Sequence, residues 1–240
     1  MLFKTELHCH TSEVSRCGRV TAADTVETYI KYGYNAVTIT NHLSASTFSE
    51  KNKNFVHTDD WQKKIDFFMS AIDLAREAAR GRIDVLWGVE LCGGHDNNDY
   101  LIYGITEEQL RAMPDILDIS IKDFGPRIRE ELGLLLFQAH PFRNGVRVVV
   151  PERLDGVEVY NGHIGHDSRN GIALQWAERY GLRHISGTDF HQPIHIPTGG
   201  ILTDTPIRTN DELAAVLRSG NYTVLHEGRE PADVVAEIQY

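Results

Sequence analysis

The first residues that point to chemistry are two histidines close to the amino terminus. His8 and His10 lie one residue apart in TELHCHTSEV, and His42 ends the later segment AVTITNH. The first segment reads as a strand, so both imidazoles face one side and Cys9 faces the other. Two imidazoles at this spacing can hold one metal ion. The pattern alone is weak evidence, because two surface histidines near a strand end would look the same.

Further residues of ligand type end later apolar segments. They are Glu90 after WGV, His140 after FQA, and Asp189 with His191 in GTDFH. Each has an ordinary alternative, since strand-end acids often cap turns and strand-end histidines often hydrogen-bond within loops. Together they form one compatible set of imidazoles and carboxylates, which suits Zn²⁺, Mn²⁺ or Fe²⁺ better than Ca²⁺.

The elements that must position these residues alternate between strand-like and helix-like segments. Such alternation predicts a mainly parallel sheet with helical connections. The expected strands are Leu2–His10, Ala36–His42, Asp84–Leu91, Tyr100–Ile105, Leu134–His140, Gly156–Tyr160, Arg183–Thr188 and Gly200–Thr203. The expected helices are Thr21–Gly33, Asp60–Arg80, Thr106–Met113, Ile119–Leu132, Asp167–Tyr180 and Asn210–Arg218. Thr21 and Asp24 resemble a capping box at the start of the first helix.

The candidate ligands all come at or just after the carboxyl end of an apolar run. In (β/α) barrels, several strand ends build the active site at that face. An open doubly wound sheet would need a glycine-rich phosphate-binding turn after an early strand, and the sequence has none. The sequence therefore favours a barrel-like α/β fold, although 240 residues could form one large domain or two small ones.

The net charge and the cysteine content indicate which partners and which cellular location to expect. The net charge of −10 argues against duplex nucleic acid or an anionic membrane as a main partner. Three cysteines are an odd number for a disulfide framework, and there is no signal-like or membrane-spanning segment, so we expect a cytoplasmic protein. Cys9 and Cys17 lie near the predicted metal site, but a thiolate ligand is less expected there than imidazoles or carboxylates.

Five motifs together resemble the PHP family, the polymerase and histidinol phosphatase superfamily. They are HxHT near the start, ITNH after the first helix, GVE at a later strand end, AHP, and DFH. They span about residues 6–193, and their order and spacing make the resemblance specific.

The resemblance implies a distorted (β/α)₇ barrel, with residues 1–240 as a single domain, and two or three divalent metals at its mouth. It also implies metal-dependent hydrolysis of phosphate esters. Carried over residue by residue, one metal is held by His8, His10, Glu90 and Asp189. Glu90 bridges to a second metal, which His140 completes. His42 and His191 hold a third.

The sequence departs from the family pattern at three places. Asn41 replaces an aspartate that often precedes the histidine of the second motif. Glu13 is the only carboxylate near the place where the family usually has a ligand of the third metal. Asp99 is our candidate for a second-metal ligand that is usually histidine, because His95 fits the strand register less well. Occupancy of the third metal position is therefore uncertain from the sequence.

Two further residues are candidates for catalysis. Arg143, just beyond His140, can clamp a phosphate oxygen, although an ordinary solvated arginine is an equal alternative. His191 can protonate the leaving oxygen if no metal occupies it fully. Metals that lower the pKa of a shared water would supply hydroxide near neutral pH. We also expect a flap over the site in residues 44–61, with His57 as a substrate contact, or else a plain surface loop.

Three functions fit these features. The first is hydrolysis of a phosphate monoester on a small molecule, such as histidinol phosphate or a nucleotide. The second is phosphodiesterase or exonuclease activity on oligonucleotide ends, against which the acidic charge and the lack of an aromatic and basic stripe argue. The third is a metal-binding module that has lost catalysis. The sequence does not specify the oligomeric state.

Overall fold

The computed structural model describes residues 2–92 and 97–227. The strands are β1 (Phe3–Cys9), β2 (Ala36–Ile39), β3 (His42–Leu43), β4 (Asp84–Trp87), β5 (Val89–Cys92), β6 (Asp99–Tyr103), β7 (Leu135–Gln138), β8 (Gly156–Asn161), β9 (Arg183–Gly187), β10 (Gly199–Thr203) and β11 (Thr223–His226). The helices are α1 (Ala22–Lys31), α2 (Trp61–Ala79), α3 (Glu107–Arg111), α4 (Ile121–Pro126), α5 (Asn170–Tyr180) and α6 (Asn210–Ser219). A π-helical turn follows α4 at Arg127–Glu131, and a 3₁₀ turn lies at Pro151–Arg153.

Local side-chain chemistry explains several helix boundaries. Thr21 accepts a hydrogen bond from the Asp24 N–H at 3.1 Å, which confirms the predicted cap of α1. Asp60 caps α2 in the same way, accepting from the Gln62 N–H at 2.9 Å. The predicted helix Ile119–Leu132 changes into a π-helical turn after Pro126, because proline lacks the N–H that a regular helix needs.

The strands form two sheets, and the chain passes directly from one sheet to the other twice, from β2 to β3 and from β4 to β5. One sheet has the order β11-β10-β1-β2-β4 and the other has the order β3-β5-β6-β7-β8-β9. The predicted strand Ala36–His42 is divided into β2 and β3, and Asp84–Leu91 into β4 and β5. An isolated parallel bridge between Cys9 and Phe190 also links the end of β1 to the residues after β9. The fold is mixed α/β.

The expectation of a mainly parallel sheet holds only in part. β6 is antiparallel to both β5 and β7, and β10 is antiparallel to β1. Only residues 93–98 separate β5 from β6, which is too short for the crossover that parallel neighbours require. Strand β11 was not predicted, and it pairs antiparallel with β10.

Two groups of buried apolar residues hold the elements together. The larger group packs helix residues such as Tyr29 and Phe68 against strand residues such as Ile39. The smaller group contains residues from strands of both sheets, among them Leu7 of β1 and Phe137 of β7. Within the described ranges, no helix combines the length and the apolar sequence that crossing a membrane requires.

Candidate metal centre

The first two histidines lie at or next to an irregularity in β1. The register between β1 and β2 shifts between Glu6 and Cys9, as at a β-bulge. His8 and His10 are fully buried and come together, while Cys9 packs in the larger apolar group. Gly187 of β9 passes so close that an added Cβ would lie 2.2 Å from the His8 Cβ. Only glycine leaves room for His8 at this point.

Glu90, from the middle of β5, lies at the centre of the imidazoles. Its Oε1 is 3.2 Å from His8 Nε2 and 3.5 Å from His140 Nε2. Its Oε2 is 3.2 Å from His10 Nε2 and 2.8 Å from His42 Nδ1. The two oxygens of one carboxylate therefore face two different pairs of imidazoles.

Asp189 completes the first predicted group from the segment after β9. Its Oδ1 is 3.5 Å from His8 Nε2, 3.3 Å from His10 Nε2 and 3.2 Å from His191 Nδ1. Asp189 and His140 have positive φ angles of 51° and 28°, which residues other than glycine rarely adopt. Such strain is typical of functional positions that the surrounding structure over-determines.

The second predicted group lies on the other side of Glu90. One ligand-type atom from each of Glu90, Asp99 and His140 lies within 4.8 Å of the others. Asp99 Oδ2 is 3.6 Å from His140 Nε2 and 3.2 Å from Arg143 Nη2. The candidate replacement of a histidine by Asp99 therefore lies where a second cation would need it. His95 lies outside the described residues.

The third predicted group includes sulfur neighbours. Atoms of His10, His42 and His191 lie within 4.8 Å of one another. The His191 Nε2 is 3.1 Å from Cys17 Sγ, and the His42 Nδ1 is 2.6 Å from Cys92 Sγ. Cys17 was a minor candidate from the sequence, and Cys92 was not a candidate at all.

Several buried atoms in this cluster have no hydrogen-bond partner among the described residues. They are His8 Nε2, His10 Nε2 and both carboxylate oxygens of Glu90. Leaving such atoms unpaired would cost free energy, and the cost disappears if a cation binds between them. The imidazole and carboxylate donors also suit Zn²⁺, Mn²⁺ and Fe²⁺. The residues present therefore fit divalent metals.

Two members of the cluster, Glu90 and His10, are held in the ionisation states that bind metals. Burial raises the pKa of Glu90, but His8 and His42 outweigh this effect and hold the pKa well below its usual value. Burial and the neighbouring His191 and His42 lower the pKa of His10 well below its usual value. Anionic carboxylates and neutral imidazoles are the forms that bind metals.

Neighbouring polar and charged groups also shift the pKa values of His8 and Cys17. Burial lowers the pKa of His8, but the carboxylates of Asp189, Glu90 and Glu158 raise it well above its usual value. Burial raises the pKa of Cys17, but hydrogen bonds to His191 and His42 lower it to about 6. A cation at the cluster would balance the carboxylates that otherwise favour a proton on His8.

Glu158 of β8 supports the cluster from behind. Its Oε1 lies 2.9 Å from His8 Nδ1, which leaves His8 Nε2 free to face Glu90. Its Oε2 accepts from the His140 N–H at 2.9 Å and from Asn161 Nδ2 at 2.9 Å. Carboxylates that hold the second nitrogen of a ligating histidine fix the orientation of the ring. The sequence indicated only that Glu158 might shape the pocket.

The structure places Glu13 away from the cluster. Its two carboxylate oxygens accept from the Ala22 N–H, at 2.9 and 3.1 Å, at the first turn of α1. An anion is stabilised there by the unpaired N–H groups and the helix dipole. The prediction of Glu13 as a metal ligand is therefore corrected to a role at the helix end.

The structure also shows the surroundings of Asn41 and His57. Asn41 accepts hydrogen bonds from the Thr11 N–H at 2.8 Å and from Ser15 Oγ at 2.9 Å, so it ties the first loop to β3. His57 is exposed in the segment that follows His42. That segment is anchored by Asn52, whose side chain is buried and donates to the carbonyl oxygens of Val14 and Thr47.

His166 is a neighbour of the cluster that the sequence analysis missed. Its Nε2 is 3.6 Å from Asp189 Oδ2 and has no hydrogen-bond partner in the described part of the chain. Its ring also lies 5.6 Å from that of His140, measured between centroids. His166 belongs to a loop after β8 rather than to a strand end, so the strand-end signal could not find it.

Comparison with known proteins agrees with this geometry. The family model described as PHP domain matches residues 6–198. The chain belongs to the PHP domain family. No curated protein sequence matches it significantly.

Several solved structures share the fold of this chain. A two-domain protein from Bacteroides vulgatus, containing a predicted PHP-like metal-dependent phosphoesterase, has a TM-score of 0.66 at 20% identity, covering 99% of this chain and 70% of that one. PsfC from Pseudomonas syringae has a TM-score of 0.63 at 12% identity, covering 98% and 96%. A Bifidobacterium adolescentis protein, itself only predicted to be a metal-dependent phosphoesterase, has a TM-score of 0.56 at 16% identity, covering 90% and 96%.

Proposed function

We propose that this PHP-family chain is a metal-dependent phosphoesterase that hydrolyses a phosphate monoester of a small molecule. The observation that carries the proposal is the central position of Glu90. Its two buried oxygens have no hydrogen-bond donor among the described residues, and each faces a different pair of imidazoles. This is the arrangement of a carboxylate that bridges two cations, and paired cations are a common solution for displacement at phosphorus.

The side chains have separate proposed roles. His8, His10 and Asp189 would hold one cation with Glu90, while His140 and Asp99 would hold the second. Divalent cations bound there would stabilise charge on phosphoryl oxygens and lower the pKa of a water molecule. Zn²⁺, Mn²⁺ and Fe²⁺ all suit this donor set.

Arg143 is the proposed phosphate-binding residue. Its Nη2 pairs with Asp99 at 3.2 Å, and its side chain remains 32% exposed. Asp99 thus orients the guanidinium beside the second proposed cation, while its other N–H groups can donate to a phosphate oxygen.

His191 has two predicted roles, as a ligand of a third cation and as the proton donor to the leaving oxygen. Burial lowers the pKa of His191, but Asp189 and Cys17 raise it to about 10. The donor role needs a proton on this ring. A ligating ring must first lose this proton, so the two roles exclude each other at any one moment.

The proposed substrate is small because the adjoining cavity is small. A cavity of about 510 Å³ lies beside the cluster, lined by Arg16, Cys17, His42 and Ser44 among others. This volume is in the range of small-molecule sites. The net charge of −10 disfavours duplex nucleic acid as a substrate. Histidinol phosphate and nucleotides remain the proposed substrate classes.

We also propose that the two sheets form a distorted (β/α)₇ barrel within one domain of residues 1–240. Two facts support this arrangement. The bridge between Cys9 and Phe190 links β1 to the segment after β9. The smaller apolar group contains residues from strands of both sheets.

Hydrolysis of p-nitrophenyl phosphate by the purified chain, supplied in turn with Zn²⁺, Mn²⁺ and Fe²⁺, tests the function. We expect metal-dependent release of phosphate that a chelator abolishes and that His140→Ala reduces by at least about 100-fold. His184→Ala is the matched control, because His184 lies at the amino end of β9, away from the strand ends that hold the cluster.

Other outcomes would overturn the proposal. Faster cleavage of a phosphodiester or of a short single-stranded oligonucleotide would favour the nuclease alternative. Stoichiometric metal binding without turnover of any ester in a broad panel would favour a non-catalytic module.

A further inference from the structure

Arg143 lies in an irregular segment between β7 and the 3₁₀ turn, called here the Arg143 loop (residues 141–149). Two hydrogen bonds shape the loop from within. The Arg143 N–H donates to the His140 carbonyl oxygen at 3.0 Å, and the Val146 N–H donates to the Arg143 carbonyl oxygen at 3.2 Å. Bonds between such near neighbours curve the chain but do not fix it against the rest of the protein. The position of Arg143 beside Asp99 therefore depends on other contacts.

The side chain of Arg169 supplies contacts on both sides of Arg143. Its Nη1 donates to the Phe142 carbonyl oxygen and its Nη2 donates to Asn144 Oδ1, each at 2.5 Å. Phe142 and Asn144 are the residues immediately before and after Arg143. Because the N–H groups of a guanidinium lie in one rigid plane, these two hydrogen bonds fix both neighbours of Arg143 together.

The backbone at Arg169 is itself held in an unfavourable conformation. Its φ of 49° and ψ of 50° lie in the left-handed region, where a side chain crowds the following carbonyl group. The Asp167 Oδ1 accepts from the Arg169 N–H at 2.9 Å. The Oδ1 of Asn170, the first residue of α5, accepts from the Asn161 N–H of β8 at 3.0 Å. Contacts on either side thus maintain the conformation, as is typical where the backbone directs a functional side chain.

Other contacts hold the rest of the loop without Arg169. The ring of Phe142 packs edge to face against Trp176 of α5, with the ring centroids 6.1 Å apart. At the far end of the loop, the Arg147 carbonyl oxygen accepts from Gln138 Nε2 at 2.7 Å. Loss of the Arg169 side chain should therefore loosen the residues between these two points without detaching the whole loop.

We propose that Arg169 is a positioning residue that holds Arg143 in place for a phosphate oxygen. This inference rests on the proposed function, in which Arg143 is the phosphate-binding residue. Arg169 acts through the backbone of the Arg143 loop, so that Arg143 needs little further ordering when a phosphate group arrives. Pre-organised groups bind more tightly, because the entropy cost of ordering them is met before the ligand binds.

Steady-state hydrolysis of p-nitrophenyl phosphate by the full-length chain, supplied with the metal that supports the highest rate, measures the effect. In Arg169→Ala we expect KM to rise by about 3- to 10-fold, because Arg143 is present but no longer held. We expect kcat to change by less than about 2-fold. Arg179→Ala removes an exposed arginine at the other end of α5, and this matched control should leave both values unchanged. An unchanged KM in Arg169→Ala would overturn the proposal.

A double variant shows whether Arg169 acts through Arg143. If it does, adding Arg169→Ala to Arg143→Ala should raise KM no further, because the group that Arg169 positions is already gone. A residue that only stabilised the fold would raise KM by the same factor in both backgrounds. Such an additive result would reject the positioning role.

Hydrogen exchange measured by mass spectrometry reads the loop directly and needs no activity. Peptides that cover the Arg143 loop should exchange faster in Arg169→Ala, while peptides that cover β1 should not change. Asn144→Ala removes one of the two acceptors and leaves α5 intact, so it should speed up exchange to a smaller extent. Equal exchange of the loop in the wild-type chain and in Arg169→Ala would contradict the proposal.

The two kinds of measurement also separate this inference from the proposed function. A chain that hydrolyses no phosphate ester, but whose loop exchanges faster in Arg169→Ala, would reject the phosphoesterase and keep Arg169 as the residue that holds the Arg143 loop. Ester hydrolysis with an unchanged KM and an unchanged loop in Arg169→Ala would reject the role of Arg169 and keep the phosphoesterase.

Discussion

Two buried glutamates, Glu6 and Glu90, differ in the hydrogen-bond partners that surround their carboxyl groups. Glu6 of β1 and Glu90 of β5 are 0% and 1% exposed. Glu6 accepts from the backbone N–H groups of Leu7, His8 and Thr188, at 3.0, 2.9 and 2.9 Å. It also accepts from the hydroxyl groups of Tyr29 and Thr188. Among the described residues, Glu90 has no hydrogen-bond donor of good geometry, and its two oxygens face imidazoles.

The contrast separates a structural carboxyl group from a binding one. Burial raises the pKa of Glu6 to about 7, and the hydrogen bonds from Thr188, His8 and Tyr29 limit the rise. These donors include the N–H groups of Leu7 and His8 at the irregularity of β1, so Glu6 stabilises the backbone that aims His8. The protein itself supplies the partners of Glu6, whereas Glu90 has no hydrogen-bond donor among the described residues.

The largest expected effect is on folding, from Glu6→Ala. Removing this carboxyl group leaves several buried donors unpaired, each at a cost of about 1–3 kcal/mol. We expect the free energy of unfolding to fall by at least about 4 kcal/mol, measured by urea denaturation. Glu77→Ala, on the exposed face of α2, should change it by less than about 0.5 kcal/mol. Equal stability of the two variants would remove the distinction between Glu6 and Glu90.

Glu90→Gln should give the opposite result. Without added metal, the unfolding free energy should fall by less than in Glu6→Ala, because Glu90 accepts no backbone hydrogen bond and the variant loses only its ionic contacts with His8 and His42. The value of kcat/KM for a phosphate monoester should fall about 1000-fold, or about 4 kcal/mol. Urea denaturation with and without Zn²⁺ provides the check: Zn²⁺ should stabilise the wild-type chain and not the variant. A variant that stays active would show that Glu90 bridges nothing.

The sequence predicted the residues that follow strands well. His8, His10, Glu90, His140 and Asp189 come together as expected, because alternation along a strand and the end of an apolar run are local signals. The motif resemblance was likewise sufficient for the family.

The sequence could not predict which local partner each polar residue chooses. Glu13 accepts a hydrogen bond from the first turn of α1, and Asn41 accepts hydrogen bonds from Thr11 and Ser15. His166 and Glu158 approach the cluster through contacts between residues far apart in the chain. The antiparallel pairing of β6 depends on connection length, which the repeated alternation of strands and helices concealed.

Glu158→Gln tests whether the imidazoles near Glu90 depend on residues behind them. The amide cannot accept at both ends, so it would lose partners among His8, the His140 N–H and Asn161. We expect metal affinity to fall by about 10- to 100-fold, as measured by competition with a chelating dye. Glu152→Gln is the control, since Glu152 is exposed before β8. Unchanged affinity in Glu158→Gln would mean that Glu90 and its imidazoles are held without this carboxylate.

The smallest expected effect comes from Arg143→Lys, which keeps the charge beside Asp99 and removes the planar donor group. If Arg143 binds a phosphate oxygen, KM for a monoester should rise by about 10-fold while metal affinity stays the same, because lysine cannot donate in a bidentate manner. Arg127→Lys, whose partner Asp115 lies on the surface, should change neither quantity. A fall in metal affinity without a change in KM would instead make Arg143 a partner of Asp99 only. Affinity for the phosphate group of the substrate would then come from the proposed cations alone.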